Sequence, residues 1–290
     1  MKKRYLLQIA GYFLFALLVF IGVFIQNFPY STLEKRIESL TWNRFEQKID
    51  IQGLHYDFPL GVYFQRIKVF PGNQELRKNL FLSDGKIHLH LFELLTAHPK
   101  TSFSLQVMKG SVIGAMQLDS LFQPREYDLD INWQGINFRD NPLDYDREKI
   151  KSIQGKCSGK LNLQGKLKKF LQASGEGNIK IKNAGLELSI SPLPEHSFQD
   201  FQGNCNWKKK NRQLHIANCN LKGKGLHGNM EGKLGLRKPV EESKLNLSGS
   251  VKFTESDPKI FTLAQKYLNT QRLNFKLGGS LNNPTSSINK

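Results

Sequence analysis

The chain of 290 residues is poor in cysteine, histidine and acidic side chains. Its three cysteines, Cys157, Cys205 and Cys219, are too few for a disulfide-built scaffold or a four-thiolate zinc site. Its 7 histidines include one close pair, His88 and His90, which flank Leu89 on a strand pattern without a third ligand at metal-site spacing. There is no Gly-x-Ser-x-Gly elbow, no phosphate-binding Gly loop and no His-Glu-x-x-His. The segment GKCSGK at 155–160 has the wrong spacing for a phosphate loop. Asp128 and Asp130 look like a carboxylate pair but are the polar alternates of one strand. The sequence therefore predicts a protein that is not an enzyme and needs no cofactor or metal.

Long apolar runs are also scarce, with one exception. Residues 5–25, YLLQIAGYFLFALLVFIGVFI, carry no charge. A helix over this run is about 31 Å long at roughly 1.5 Å per residue, close to a bilayer core of about 30 Å. A cleaved secretory signal would have a shorter apolar core ending in small residues. This run instead closes on Phe24, Ile25, Gln26, Asn27 and Phe28. Lys2, Lys3 and Arg4 precede it and favour a cytoplasmic N-terminus. The expectation is a single-pass anchor at 5–25 with a cytoplasmic tip at 1–4. The rest of the chain would then lie outside the inner membrane, in a periplasm.

The 42 basic residues against 25 acidic ones give a net charge of +17. An exported basic domain rarely meets nucleic acid. Anionic lipid headgroups, lipopolysaccharide phosphates or an acidic protein are the matching partners. A solvated, Lys-rich sheet face is the alternative reading of the same charge.

Past the anchor, Leu33, Ile37 and Leu40 recur at helical spacing, with Trp42 and Phe45 nearby, predicting an amphipathic helix over 31–46. Ser31 and Glu34 have capping-box spacing. Beyond it the period is two. Tyr127, Leu129, Ile131 and Trp133 alternate with Asp128, Asp130 and Asn132. The same rhythm returns at Leu161/Leu163, Ile179/Ile181, Leu245/Leu247 and Leu273/Phe275/Leu277. This is half-buried antiparallel sheet, dry on one face and wet on the other. The predicted fold is mainly β: a long curved antiparallel sheet, trough-like, with a few short helices, over 47–283. Segments 138–152 and 191–200 are the internal breaks, giving possible halves 47–140 and 153–283, which are compatible with one continuous sheet. Asp257 and Pro258 open a late helix with Ile260, Leu263, Ala264, Tyr267 and Leu268 on one side. Residues 284–290 read as a disordered tail. Of 24 glycines, most lie past residue 100, where they let strands bend or backbones approach closely.

Cys205 and Trp207 share a strand face, with Lys208–Arg212 as the turn. On the return strand the apolar phase slips from Leu214 and Ile216 to Cys219 and Leu221. A bulge at Ala217-Asn218 accommodates the slip and brings both thiols to one side of the hairpin. A Cys205–Cys219 disulfide and a pair of thiols buried as small hydrophobes are both compatible with that placement.

Three passages carry a family resemblance: GLHYDFPLGVYFQRIKV at 53–69, CNWKKKNRQLHIANCNLKGKGLHGNMEGKL at 205–234 and LNFKLGGSLNNP at 273–284. With the basic tip, the membrane helix and the helix after it, their order resembles the GspN family of type II secretion proteins. The chain is richer in Lys and Asn than that family, and its cysteines are not part of the pattern. GspN-like proteins are similar in layout to the AsmA-like group, in which a membrane helix precedes a curled antiparallel sheet with an apolar trough. The resemblance implies a non-enzymatic inner-membrane component of type II secretion, whose partners are other secretion or envelope proteins. Its AsmA-like side implies the alternatives: an envelope lipid-binding or lipid-transport protein, or a scaffold.

Overall fold

The computed structural model describes residues 11–289 except 14, 17, 18, 21, 24, 25, 46, 47, 71–79, 91, 94, 95, 97, 141–149, 189–195, 264 and 267–269. Lys2, Lys3, Arg4 and much of the 5–25 run lie outside these residues. Its described members are helical at 11–13, 15–16, 19–20 and 22–23, with Tyr12, Phe13, Phe15, Phe20 and Val23 exposed. Among the described residues no helix is long and apolar enough to cross a membrane.

The chain is dominated by one sheet. Its strands are β1 (Lys48–Gln52), β2 (His55–Asp57), β3 (Gly61–Phe70), β4 (Leu80–Leu89) and β5 (Lys100–Val107). There follow β6 (Gly110–Leu118), β7 (Glu126–Asn137), β8 (Ile150–Lys166), β9 (Ser174–Leu188) and β10 (His196–Lys210). The last are β11 (Gln213–Gly223), β12 (Leu226–Gly235), β13 (Lys244–Phe253), β14 (Arg272–Gly279) and β15 (Pro284–Asn289). From β3 onward each strand pairs antiparallel with the next, and β1 and β2 both pair with β3. The result is a single open 15-stranded meander. The strands on either side of 138–152 and 191–200 belong to the same sheet, with β7 bonded to β8 and β9 to β10.

Short turns set this register. Met108 and Lys109 both have positive φ, 48° and 63°, as a two-residue hairpin turn between β5 and β6 requires. Gly53, at φ 70°, and Leu54 form the kink between β1 and β2.

Helix α1 (Tyr30–Phe45) lies against the β1 edge. Leu33 and Ile37 pack on a small core of Ile51, Leu54 and Phe64. The Ser31–Glu34 capping box does not form. The helix begins at Tyr30, and the Glu34 carboxylate instead accepts the Leu54 N–H at 2.9 Å. Glu38 accepts the Ile51 N–H at 2.8 Å. Two carboxylates on one helix face thus satisfy two backbone donors beside the kink, a use that short-range spacing does not reveal. The late helix appears as α2 (Pro258–Leu263), where Phe261 N–H bonds Asp257 O at 3.0 Å. The expected stripe members Ala264, Tyr267 and Leu268 lie outside the described residues.

The tail expected to be disordered is strand β15, paired with β14 from Gly279↔Pro284 to Asn274↔Asn289. A turn folds it back: Ser280 N–H bonds Asn283 O at 3.2 Å, and Asn283 N–H bonds Ser280 Oγ at 3.1 Å. Backbone pairing forms this strand, so its side chains carry no apolar rhythm to read.

Candidate functional site: the open apolar sheet face

Tracing cross-strand partners shows how the sequence alternation becomes a surface. One rung runs Leu105, Val112, Trp133, Gly159, Ile179 and Cys205 across β5 to β10. It resumes beyond the cysteine pair as Cys219, Met230, Gly249 and Phe275. The next rung is Phe103, Gly114, Ile131, Leu161, Gly177, Trp207, Ile216, Gly232, Leu247 and Leu277. Two flanking rungs pass through Leu129–Leu163 and Cys157–Ile181. Residues paired across strands share a face, so these rungs form one continuous apolar surface. Most of its side chains are half-buried. Helix α1 covers it at the β1–β3 edge, through the Ile51–Leu54–Phe64 core.

Many glycines in these rungs seat aromatic rings. A Cβ added at Gly177 would lie 2.3 Å from Trp207 Cζ2, and one at Gly159 would lie 2.4 Å from Trp133 Cζ2. Gly114 stands against Phe103, Gly85 against Phe64 and Gly249 against Phe275 in the same way. Reading glycine as a site of bending missed this role. The signal was present, because each aromatic sits at the apolar phase of a strand next to one carrying Gly at that phase.

The cysteine pair lies inside this surface. Cys205 and Cys219 are joined as a disulfide between β10 and β11. The register shifts between Ile216 and Cys219, at the expected Ala217-Asn218 bulge, with Asn218 at φ 53°. Cys157 is free and buried, and Trp133 Nε1–H points to its Sγ at 3.3 Å. Lys209 continues the Cys205–Trp207 phase. It belongs to β10 and not to the expected 208–212 turn, which contracts to Asn211-Arg212. Its ammonium is buried and donates to the carbonyls of Leu171, Ala173 and Asn211. Burial holds its pKa below the usual lysine value. Tyr127, under the Phe170 ring, is buried beside Leu163 and Ala173, and burial raises its pKa.

The opposite face is polar. Asn204, Asn220, Asn229, Ser250, Asn274 and Asn289 occupy one rung. Lys222, His227, Lys252 and Arg272 occupy another, four basic residues on four successive strands. His88 Nε2 sits 3.1 Å from Asp57 Oδ2, whose other neighbour is Lys86 Nζ at 3.6 Å. His90 pairs with Ser102 Oγ at 3.1 Å. Among the described residues no three His, Cys, Asp or Glu side chains cluster as metal ligands. Asp128 faces Gln117 and Gln164, and Asp130 faces Ala115 and Asn162, each as a rung partner.

Compared with protein-family models, curated proteins and solved structures, the chain finds no match.

Proposed function

We propose that the chain is an inner-membrane-anchored envelope protein whose apolar sheet face holds the acyl chains of lipids. The observation that carries this reading is the extent of that face. From β5 to β14 it is about 43 Å wide at roughly 4.8 Å per strand, and its rungs rise about 20 Å along β7. That area exceeds the roughly 300–600 Å² apolar patch usual on a soluble monomer. A face this large, with its side chains half-buried, calls for an apolar occupant. In this reading the glycine-rich strands curl the sheet into a trough. The 5–25 run spans the inner membrane with Lys2, Lys3 and Arg4 in the cytoplasm, and the basic residues of the polar face suit anionic envelope lipids. Extraction of the purified full chain, followed by lipid mass spectrometry, tests it. Co-purifying phospholipid, lost in an Ile131→Lys/Leu161→Lys variant that keeps its sheet circular dichroism, is expected. A lipid-free wild-type chain overturns it.

A second reading is favoured by one observation, the outer edge of β15, which no other strand pairs among the described residues. An unpaired edge invites strand addition by a partner. This suits a structural component of type II secretion, the role implied by the GspN resemblance. Photocrosslinking from Ser287 in cells tests it. Adducts to a secretion-machinery component support it, and adducts to none remove it.

A further inference from the structure

In an antiparallel meander alternate connections fall at the same end of the sheet. The β2–β3, β4–β5, β6–β7, β8–β9, β10–β11, β12–β13 and β14–β15 connections therefore share one end. Six of these seven carry an exposed large apolar side chain, the exception being the Asn211-Arg212 turn. Phe58 is 82% exposed, Phe92 83% and Phe122 89%, and Phe170, Val240 and Leu281 complete the set. At the other end, the turns Met108–Lys109, Lys224–Gly225 and Thr254–Asp257 carry no exposed large apolar residue among the described residues. Isolated surface hydrophobes are ordinary, but one on six of the seven connections at a single end forms a rim.

The charges on these connections are mixed: Arg125, Lys168, Lys169, Arg212, Arg237 and Lys238 stand with Glu93, Asp119, Glu241 and Glu242, and the basic excess sits at Lys168 and Lys169. Large apolar side chains projecting past a charged, polar rim are the composition of an element seated at a membrane interface.

The N-terminal apolar run arrives at this end too. Glu34, nearer the start of α1, bonds Leu54, and Glu38 bonds Ile51. Helix α1 therefore runs against the direction of β1 and β2, and its start at Tyr30 points toward the 58–60 connection. The helical, exposed residues before it, Phe13, Phe15 and Phe20 among them, feed in from that side.

We propose that this strand end is a membrane-docking surface, with the six apolar tips seated in the headgroup region of a phospholipid bilayer. The sheet then stands with its strands directed away from the membrane, and the apolar face opens along the bilayer. The proposal rests on the anchor in the reading above but not on acyl chains filling the sheet face.

Spin labels on the full chain test it. Labels at Phe122→Cys and Phe170→Cys report the apolar-tipped end, and labels at Arg139→Cys and Lys224→Cys report the other. The wild-type chain is the labelling blank. Each variant is reconstituted in phosphatidylethanolamine–phosphatidylglycerol vesicles, and oxygen and nickel-chelate accessibilities are measured by power saturation. The expected result is an oxygen-to-nickel ratio several-fold higher at 122 and 170 than at 139 and 224. Equal ratios at the two ends, or a higher ratio at 139 and 224, overturn it. Lipid extraction reads the sheet-face proposal independently: shielded tips on a lipid-free chain would keep the docking end and remove the acyl-chain reading, and exposed tips on a lipid-loaded chain the reverse.

Discussion

The Trp207 indole lies over Gly177, its register partner on the neighbouring strand, close enough that a Cβ at 177 would stand 2.3 Å from Cζ2 and 2.5 Å from Lys160 O. Both obstacles belong to the sheet, one a ring held in the apolar face and the other backbone. Gly177→Ala is expected to lower stability by about 1–3 kcal/mol, the usual cost of forcing extra volume into a packed site. Gly228 provides the contrast, since a Cβ there meets nothing closer than 3.8 Å. Gly228→Ala should be neutral or raise stability by up to about 1 kcal/mol, because it restricts the unfolded chain. Urea unfolding followed by circular dichroism compares the two. Equal effects would show that the ring does not depend on its glycine seat.

The disulfide leads to a second expectation. Cys205 and Cys219 are 14 residues apart, so the bond closes a short loop across a bulged hairpin. Loss of such a crosslink costs about 3 kcal/mol on a chain-entropy account. Protein purified from an oxidising compartment should expose one alkylatable thiol after denaturation, Cys157. Intact mass without reductant should be two hydrogens below the all-thiol value. Reduction, or Cys205→Ser, should shift the unfolding midpoint downward. Three thiols in freshly isolated protein would exclude the crosslink.

The alternation at Tyr127–Trp133 was legible because one face of β7 is dry and the other wet, and the Ala217-Asn218 bulge was legible because the apolar phase slips there. Long-range satisfaction was not legible. Glu34 fits a local cap by spacing, yet it serves Leu54, 20 residues on. Lys209 reads as a turn residue until three carbonyls from two segments converge on it. Strand β15 has no readable apolar period because Ser286 and Ile288 face Leu277 and Phe275 while backbone pairing carries the strand. The docking rim was hidden for a different reason: Phe58, Phe92 and Phe122 are far apart in sequence, and the meander alone gathers them at one end.

Lys209 gives a pH prediction. Burial lowers its pKa in the folded state, so over some alkaline interval the unfolded chain binds the proton that the folded chain has released. Stability from this group therefore rises as pH increases through the folded value toward the ordinary lysine value of 10.5, and it is constant below that interval. Lys209→Met removes this dependence. It also leaves the Leu171, Ala173 and Asn211 carbonyls without their ammonium donor, at a cost of about 1–3 kcal/mol for each buried acceptor that water cannot reach. Urea midpoints of wild type and Lys209→Met, measured from neutral pH to above 10, should diverge as pH rises. Parallel curves would mean that the ammonium is solvated.

The Glu34 and Glu38 clamp separates the helix from the sheet in a testable way. Each carboxylate accepts a backbone N–H at the kinked edge, and a hydrogen bond to a charged acceptor contributes about 1.5–3 kcal/mol. The pairing of β3 with β4 and beyond does not involve either residue. Glu34→Ala/Glu38→Ala should therefore free α1 while the meander stays intact. Amide exchange at Ile51 and Leu54 should accelerate strongly, and exchange in β6 to β9 should stay unchanged. Because α1 also shields Ile51, Leu54 and Phe64, its release extends the open apolar face by one edge, and binding of an apolar fluorescent probe should increase. If exchange accelerated across the whole sheet instead, the helix would be part of the folding unit and not a cover laid against its first edge.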